Sequence, residues 1–295
     1  MKIKMSWART AAMIAGLLVA SGDDSLGGDF IRIKETEEAA KLQTAVFGYE
    51  REGVRVDLIG AIHLADRRYY EFLNKYFENY PVLLFEMVGG ENLGGGAGNP
   101  PQAKPKPEGD AVAGNEEEKD GDNLAGLRTL YESMEKALGL TGQGNLIDYT
   151  AQNFVHADLT MAEFEALQKE KGESMLGFMI QAGIAGDKPQ RDPDTIRLMR
   201  GILTGRSDLV KLEVMHTMAE GDTQIDSVNG ENVIISDRND RCLDVMEKQI
   251  AAGRKNIGIF YGAAHFPDME RKLLADGFVK VSAKWLTAWK VAKVR

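Results

Sequence analysis

Two segments near opposite ends of this 295-residue chain share one pattern. Each has an apolar run typical of a buried strand, then Gly-x-x-His, then apolar residues at helical spacing, then a second strand. The Gly-x-x-His turns are Gly60-Ala61-Ile62-His63 and Gly262-Ala263-Ala264-His265. If both segments are right-handed βαβ units of one parallel sheet, both histidines leave the carboxyl ends of their strands, where ligands of open α/β sheets bind. The pattern therefore predicts one site shared by His63 and His265.

This pattern predicts an α/β fold with a central mixed, largely parallel sheet, built from two related strand-Gly-x-x-His-helix-strand halves. Residues 127–220 have apolar positions at helical spacing and are predicted to form a helical insertion. Residues 89–125 are rich in Gly, Pro and charged residues, which is typical of a disordered insert. We expect one α/β domain over residues 30–295 and a short strand at Asn232–Ile235.

The N-terminus has the composition of an export signal. Lys2, Lys4 and Arg9 precede an apolar run from Ala11 to Ala20, which small residues follow. The run is too short for a transmembrane helix, which needs about 20 residues. Residues 1–22 are therefore predicted to be a signal peptide or an N-terminal anchor. The protein is therefore expected to be extracytoplasmic, either periplasmic or secreted. Peripheral membrane association through the N-terminus is the alternative.

Charge and cysteine content exclude some classes of protein. The formal net charge is -9 and the sequence pI is about 5.2, which argues against nucleic acid as a partner because phosphate binding needs a basic surface. The only cysteine is Cys242, so neither an intramolecular disulfide nor a Cys-rich metal site can form.

A carboxylate and a cation accompany the two histidines. Glu86 directly follows the apolar strand at residues 82–85, and we expect it at the same sheet edge. Two imidazoles and one carboxylate are a common ligand set for a divalent metal that keeps open positions, and such a metal lowers the pKa of water. Arg238, predicted at another strand end, could bind a substrate carboxylate or stabilise negative charge. From the residues alone, the histidines are either ligands or hydrogen-bonded structural residues.

Other polar residues have simpler interpretations. Four of them stand at predicted helix starts, where capping is the expected role: Asp66, Asp237, Asn239 and Asp268. His156 is predicted to be structural or peripheral at a junction between helices, and His216 an ordinary helix residue.

At these positions the sequence resembles the TraB/PrgY/GumN family, which includes the TIKI proteases. The resemblance rests on four pieces: Gly60-Ala61-Ile62-His63, Glu86, Asp237-Arg238-Asn239 and Tyr261-Gly262-Ala263-Ala264-His265. It implies a fold like that of the erythromycin-esterase/ChaN-like superfamily. It also implies His63, Glu86 and His265 as metal ligands, with Glu86, Arg238 and Asn239 as the catalytic set.

The sequence thus predicts a metal-dependent hydrolase, a peptidase acting on extracytoplasmic peptides through a two-His/Glu site. The cofactor would be a divalent ion (manganese, cobalt or zinc), and the partner a peptide or small-molecule substrate. The alternative is a non-catalytic protein that binds a peptide or haem in the same crevice. Ester hydrolysis is a third candidate, because the superfamily includes esterases.

Overall fold

A computed structural model describes residues 30–94, 132–173, 194–216 and 233–293. The predicted signal peptide lies outside these ranges, as does the predicted insert from residue 95 onward. None of the helices within them combines the length and apolar character needed to cross a bilayer.

Seven strands of the described residues form one mixed sheet. They are β1 (Ile31–Glu35), β2 (Ala39–Arg51), β3 (Val54–Ala61), β5 (Val82–Phe85), β7 (Phe154–His156), β8 (Asn256–Gly262) and β9 (Val279–Ala292). Two short strands, β4 (Leu64–Ala65) and β6 (Thr141–Gly142), pair with each other in a separate ladder.

Helices flank this sheet. They are α1 (Arg67–Phe77), α2 (132–138), α3 (Gln143–Leu146), α4 (Met161–Lys171), α5 (Thr195–Thr204), α6 (207–216), α7 (Arg238–Ala251) and α8 (Phe266–Ala275). A π-helical turn, Val233–Asp237, leads into α7, and a 3₁₀ turn, Ala263–His265, leads into α8.

The centre of the sheet is parallel. β3, β8, β5 and β7 lie side by side in that order, all pointing the same way. β2 extends the sheet beyond β3 as an antiparallel strand, with β9 on its outer edge and β1 beside its first half. Parallel strands need apolar cover on both faces, and the residues of β8 from Ile257 to Tyr261 are correspondingly buried. The predicted α/β class with a mixed, largely parallel sheet is confirmed.

The two related halves are both crossover units. In the first, α1 connects β3 to β5; in the second, α8 connects β8 to β9, which points the same way as β3 because both are antiparallel to β2. The crossovers run in opposite directions along the sheet, so right-handed connections place the two helices on opposite faces. Side-chain contacts agree: Phe77 of α1 packs on Phe260 of β8, and Glu270 of α8 accepts the hydroxyl of Tyr49 from the other face.

Two local predictions are wrong. Residues 127–220 are not purely helical, because Phe154–His156 form β7 and pair with β5 inside the main sheet. Three residues are too few to show a strand periodicity, and tertiary pairing decides their conformation. The β-branched run predicted as a strand at Asn232–Ile235 forms, where described, the π-helical turn Val233–Asp237. Arg238 therefore begins α7 and does not end a strand.

Gly258 offers a test of how closely β5 and the loop after α1 pack against β8. A Cβ atom at this position would lie 2.6 Å from Cδ1 of the fully buried Leu83 and 3.0 Å from the ring of Tyr80. The Tyr80 ring is held by its hydroxyl, which donates to Asp57 at 2.7 Å. Gly258→Ala should therefore lower the free energy of unfolding in urea by about 1–3 kcal/mol, the usual cost of overpacking.

Gly144→Ala is the matched control, since a Cβ there meets nothing within 4 Å. It should be neutral or stabilise α3 by up to about 1 kcal/mol, the helix-propensity difference between Gly and Ala. Equal effects of the two substitutions would contradict the packing described for Gly258.

Candidate functional site

The four parallel strands end side by side, and a polar residue follows each of them. His63 follows β3, His265 follows β8 after one 3₁₀ turn, Glu86 follows β5 and Asp158 follows β7. Because β8 lies between β3 and β5, and β5 lies between β8 and β7, these residues occupy one continuous edge. α7 contributes Arg238 and Asn239 from its first turn.

Glu86 lies at the middle of this cluster. Its Oε2 accepts the backbone N–H of Gly262 at 2.6 Å, and its Oε1 accepts Nη2 of Arg238 at 2.6 Å. Nε2 of His265 is 3.5 Å from Oε1. A Cβ on Gly262 would come within 3.3 Å of Oε2, so the glycine allows the backbone to approach the carboxylate.

The surroundings keep Glu86 ionised. Burial by itself would raise the pKa of this carboxyl group, but electrostatic attraction to His265, Arg238 and His63 holds the pKa well below its ordinary value of 4.5. Glu86 is therefore a carboxylate throughout the neutral pH range. It can act as an anionic ligand or partner there, but it is a weak proton acceptor.

All five N–H donors of Arg238 have partners. Nε and Nη2 donate to the two carboxylate oxygens of Asp158 at 3.0 and 2.7 Å, and Nη2 also donates to Glu86. Nη1 donates to the carbonyl oxygen of Ile234 at 3.2 Å and faces Nε2 of His265 at 3.4 Å. The π-helical turn places that carbonyl next to the guanidinium, and π turns are frequent at functional sites.

His265 is buried and oriented by Asn239. The amide nitrogen of Asn239 donates to the carbonyl oxygen of His265 at 3.1 Å and to Asp268 at 2.8 Å, so its Oδ1 is the atom that accepts from Nδ1 of His265, at 2.7 Å. In the neutral imidazole the proton then stays on Nδ1, and the Nε2 lone pair faces Glu86 and Arg238. Asn239, which the sequence predicts to be catalytic, contacts the imidazole ring of His265 and fixes its orientation.

His63 lies on the open side of the same edge. Its side chain is exposed, while the turn that carries it is firmly held: Tyr69 donates its hydroxyl to the carbonyl oxygen of Gly60, and Tyr70 donates to that of Ile62, both at 2.8 Å. The backbone oxygen of His63 accepts the N–H of Gln143 at 2.9 Å.

The structure thus brings Glu86, Arg238, Asn239 and His265 into one contact network, with His63 on its exposed side. The contacts of the other two histidines lie outside this network. The prediction that His156 lies at a junction between helices is wrong, because it ends a strand that pairs with β5. Nε2 of His156, at the end of β7, is 2.7 Å from the carbonyl oxygen of Met87, and His216 of α6 is 3.2 Å from Glu35.

Capping by the aspartates is only partly as predicted. Neither Asp66 nor Asp237 makes a side-chain cap hydrogen bond. Asp66 accepts the backbone N–H of Lys290 instead, and Asp237 pairs with Lys171. Asp268 does lie in the first turn of α8, where a negative charge is favourable.

Sequence reasoning missed Asp158. Its side chain is fully buried and pairs with Arg238 at 2.7 Å. Asp158 follows β7 just as Glu86 follows β5. This strand-end position could not be recognised from the sequence, because the pattern of residues 127–220 predicts helices.

The donor chemistry at this edge is compatible with a divalent cation. Nε2 of His265 and Oε1 of Glu86 are 3.5 Å apart, and two atoms bound to one tetrahedral ion lie about 3.4 Å apart at zinc-like bond lengths. Two carboxylates, those of the partly buried Glu86 and the buried Asp158, share the single guanidinium of Arg238. Within the described ranges, His63 included, no three or more His, Cys, Asp or Glu side chains lie together as a metal-binding group. The side chain of His63 would therefore have to turn toward Glu86 and His265 for the three to bind one ion.

A scan against protein-family models, a search of curated proteins and a search of solved structures each find no match to this chain. The TraB/PrgY/GumN resemblance therefore stays a prediction from the motifs. What the site can do is inferred from its contacts, its burial and its charges.

The contribution of Arg238 to the free energy of unfolding can be measured by substitution. Arg238→Met removes the only guanidinium between two buried carboxylates and should lower the free energy of unfolding by about 3–5 kcal/mol at pH 7. The difference from wild type should shrink as the pH falls below about 4.5, because protonated Glu86 no longer needs a positive partner. Urea unfolding monitored by circular dichroism at several pH values gives both quantities.

Arg67→Met is the matched control. Arg67 pairs with Glu71 on the surface of α1, where the side chains are 67% and 54% exposed. Such a pair contributes about 0.3–0.5 kcal/mol, so this variant should unfold almost as wild type does. A similar small loss for Arg238→Met would contradict the central position assigned to its guanidinium.

Proposed function

We propose that this protein is a metal-dependent hydrolase, a peptidase acting on extracytoplasmic peptides, with a divalent ion held by His63, Glu86 and His265. The observation that carries the proposal is the approach of His265 Nε2 to Glu86 Oε1, 3.5 Å apart, at a point where two carboxylates share one guanidinium. Its position at the carboxyl edge of parallel strands supports it further, since ligands of such sheets bind there.

The residues divide into ligands and their supports. Glu86 is better suited to hold a cation than to act as general base, because its low pKa makes it a weak proton acceptor near pH 7. Asn239 fixes the imidazole of His265, as hydrogen-bonded partners of ligand histidines commonly do. His63, on the exposed side, would approach from the direction of solvent. A divalent ion in this position supplies Lewis-acid polarisation of a carbonyl group and activation of water.

Arg238 is the residue placed to stabilise negative charge that develops on the substrate. All its donors already have partners, so a substrate oxygen must replace one of them. The Nη1 contact with His265 is the longest of these, at 3.4 Å, and is the one most easily exchanged. The carboxylates of Glu86 and Asp158 meanwhile hold the guanidinium in place, so it needs little reorganisation during reaction.

A non-catalytic binding protein is the second candidate. The full set of partners around Arg238 and the hydrogen bonds to both oxygens of Glu86 favour it, because such a saturated network also suits a site that only holds a ligand. Incubation with peptide libraries and Mn²⁺, followed by mass spectrometry, separates the two functions. Cleaved peptides support hydrolysis, whereas retained but intact peptides, or haem retained by the protein, support binding alone.

Metal titration tests the shared site itself. Wild-type protein should bind one equivalent of Mn²⁺ in calorimetry, and His63→Ala and His265→Ala should each weaken binding at least about tenfold, the lower end of effects seen at metal sites. His216→Ala removes a histidine that pairs with Glu35 outside the site and should bind as wild type does. Equal Mn²⁺ binding by all four proteins, or none by wild type, would rule out the proposed ligand set.

A further inference from the structure

Asp158 is a buried carboxylate that holds Arg238 in place, and the proposed function assigns it no effect on Glu86. Its two oxygens take one edge of the Arg238 guanidinium, with Nε at 3.0 Å and Nη2 at 2.7 Å. Oδ1 also accepts the backbone N–H of Leu159 at 2.7 Å, which fixes the direction of the carboxylate. The preceding residue is held as well, because the Tyr261 hydroxyl donates to the carbonyl oxygen of Ala157 at 2.5 Å.

This arrangement decides which edge of the guanidinium faces the candidate ligands. With the Nε/Nη2 edge on Asp158, the Nη1/Nη2 edge is divided between two residues: Nη2 donates to Glu86 at 2.6 Å, and Nη1 faces His265 at 3.4 Å. Arg238 therefore gives Glu86 a single N–H. The second oxygen of Glu86 is held by the Gly262 N–H, which carries no formal charge.

We infer that Asp158 is a positioning residue which, by holding one edge of Arg238, prevents the guanidinium from pairing with both oxygens of Glu86 and so keeps Glu86 available to a divalent cation. The inference rests on the proposed function, because the cation is the ligand of that site. Arg and carboxylate groups favour two parallel hydrogen bonds, so an Arg238 released by Asp158 would turn its paired N–H groups toward Glu86. Its charge would then compete directly with the cation.

A purely structural ion pair would act on the free energy of unfolding, whereas the inferred role acts on cation affinity in the folded protein. Removing one member of a buried pair leaves an uncompensated charge, whereas replacing both is often tolerated. Under the inference, Arg238 is the competitor, so removing its charge should restore the cation affinity that the loss of Asp158 had reduced. A structural role alone predicts that the folded single variants bind Mn²⁺ as wild type does, and that only the free energy of unfolding recovers in the double variant.

The experiment compares Mn²⁺ affinity, measured by calorimetry, in wild type, Asp158→Asn, Asp158→Ala and the double variant Asp158→Asn/Arg238→Gln. Each single variant should bind Mn²⁺ about 10–100-fold more weakly than wild type, the usual effect of changing a residue that supports metal ligands. The double variant should regain most of that affinity. Asp57→Asn is the matched control: Asp57 is another buried aspartate, paired with Arg55 and Tyr80 and not with any residue of the cluster. It should leave Mn²⁺ affinity unchanged.

The outcomes separate this inference from the proposed function. If wild type does not bind Mn²⁺, the proposed function fails and the inference fails with it. If wild type binds but a single variant binds equally well, or the double variant binds no better than the single ones, only the positioning role of Asp158 is overturned. If neither single variant keeps the wild-type circular dichroism spectrum, Asp158 is needed for folding itself, and the positioning role is likewise overturned.

Discussion

The guanidinium of Arg238 lies between two carboxylates, Glu86 and Asp158, in a part of the molecule with little access to water. Charges in such surroundings are costly unless each finds a partner of opposite sign with good geometry. Here the pairing also joins three elements, because Glu86 follows β5, Asp158 follows β7 and Arg238 begins α7. The same contacts set the distance between Glu86 and His265. The arrangement of the residues at this edge therefore depends on the position of the Arg238 guanidinium.

The parallel centre of the sheet is what makes the cluster possible. Strands that point the same way bring residues distant in sequence to one edge, and the two crossover helices on opposite faces leave that edge uncovered by either. The two Gly-x-x-His turns are related in pattern but differ in environment. The turn ending at His63 is held by tyrosines of α1 and leaves its histidine exposed, whereas Asn239 holds His265 in the buried part. One histidine is held by a side-chain hydrogen bond in the buried part, and the other is exposed at the same edge.

The long, apolar and duplicated features were predictable from the sequence. The α/β class, the parallel sheet and the convergence of Glu86 and His265 follow from periodicity and from the rule that strand ends share an edge. Arg238 reaches the same edge from the start of α7 and not from a strand end. Short elements were not predictable. β7 has three residues and acquires its conformation from β5, so Asp158 was not recognised. The β-branched residues from Val233 onward favour a strand locally, but in the fold they form a wide turn that brings the Ile234 carbonyl oxygen to Arg238. Contacts of this kind depend on tertiary structure, which a local sequence pattern does not predict.

The central claim is that His63, Glu86 and His265 hold one divalent cation at the carboxyl edge of the sheet. Anomalous diffraction from a crystal of the full chain grown with Mn²⁺ tests it most directly, because the anomalous signal locates the ion independently of any assay. The account predicts one strong peak within coordination distance of His265 Nε2 and an oxygen of Glu86, with the His63 ring turned toward it. A fully formed cluster with no peak there, or a peak bound only by other residues, would contradict it.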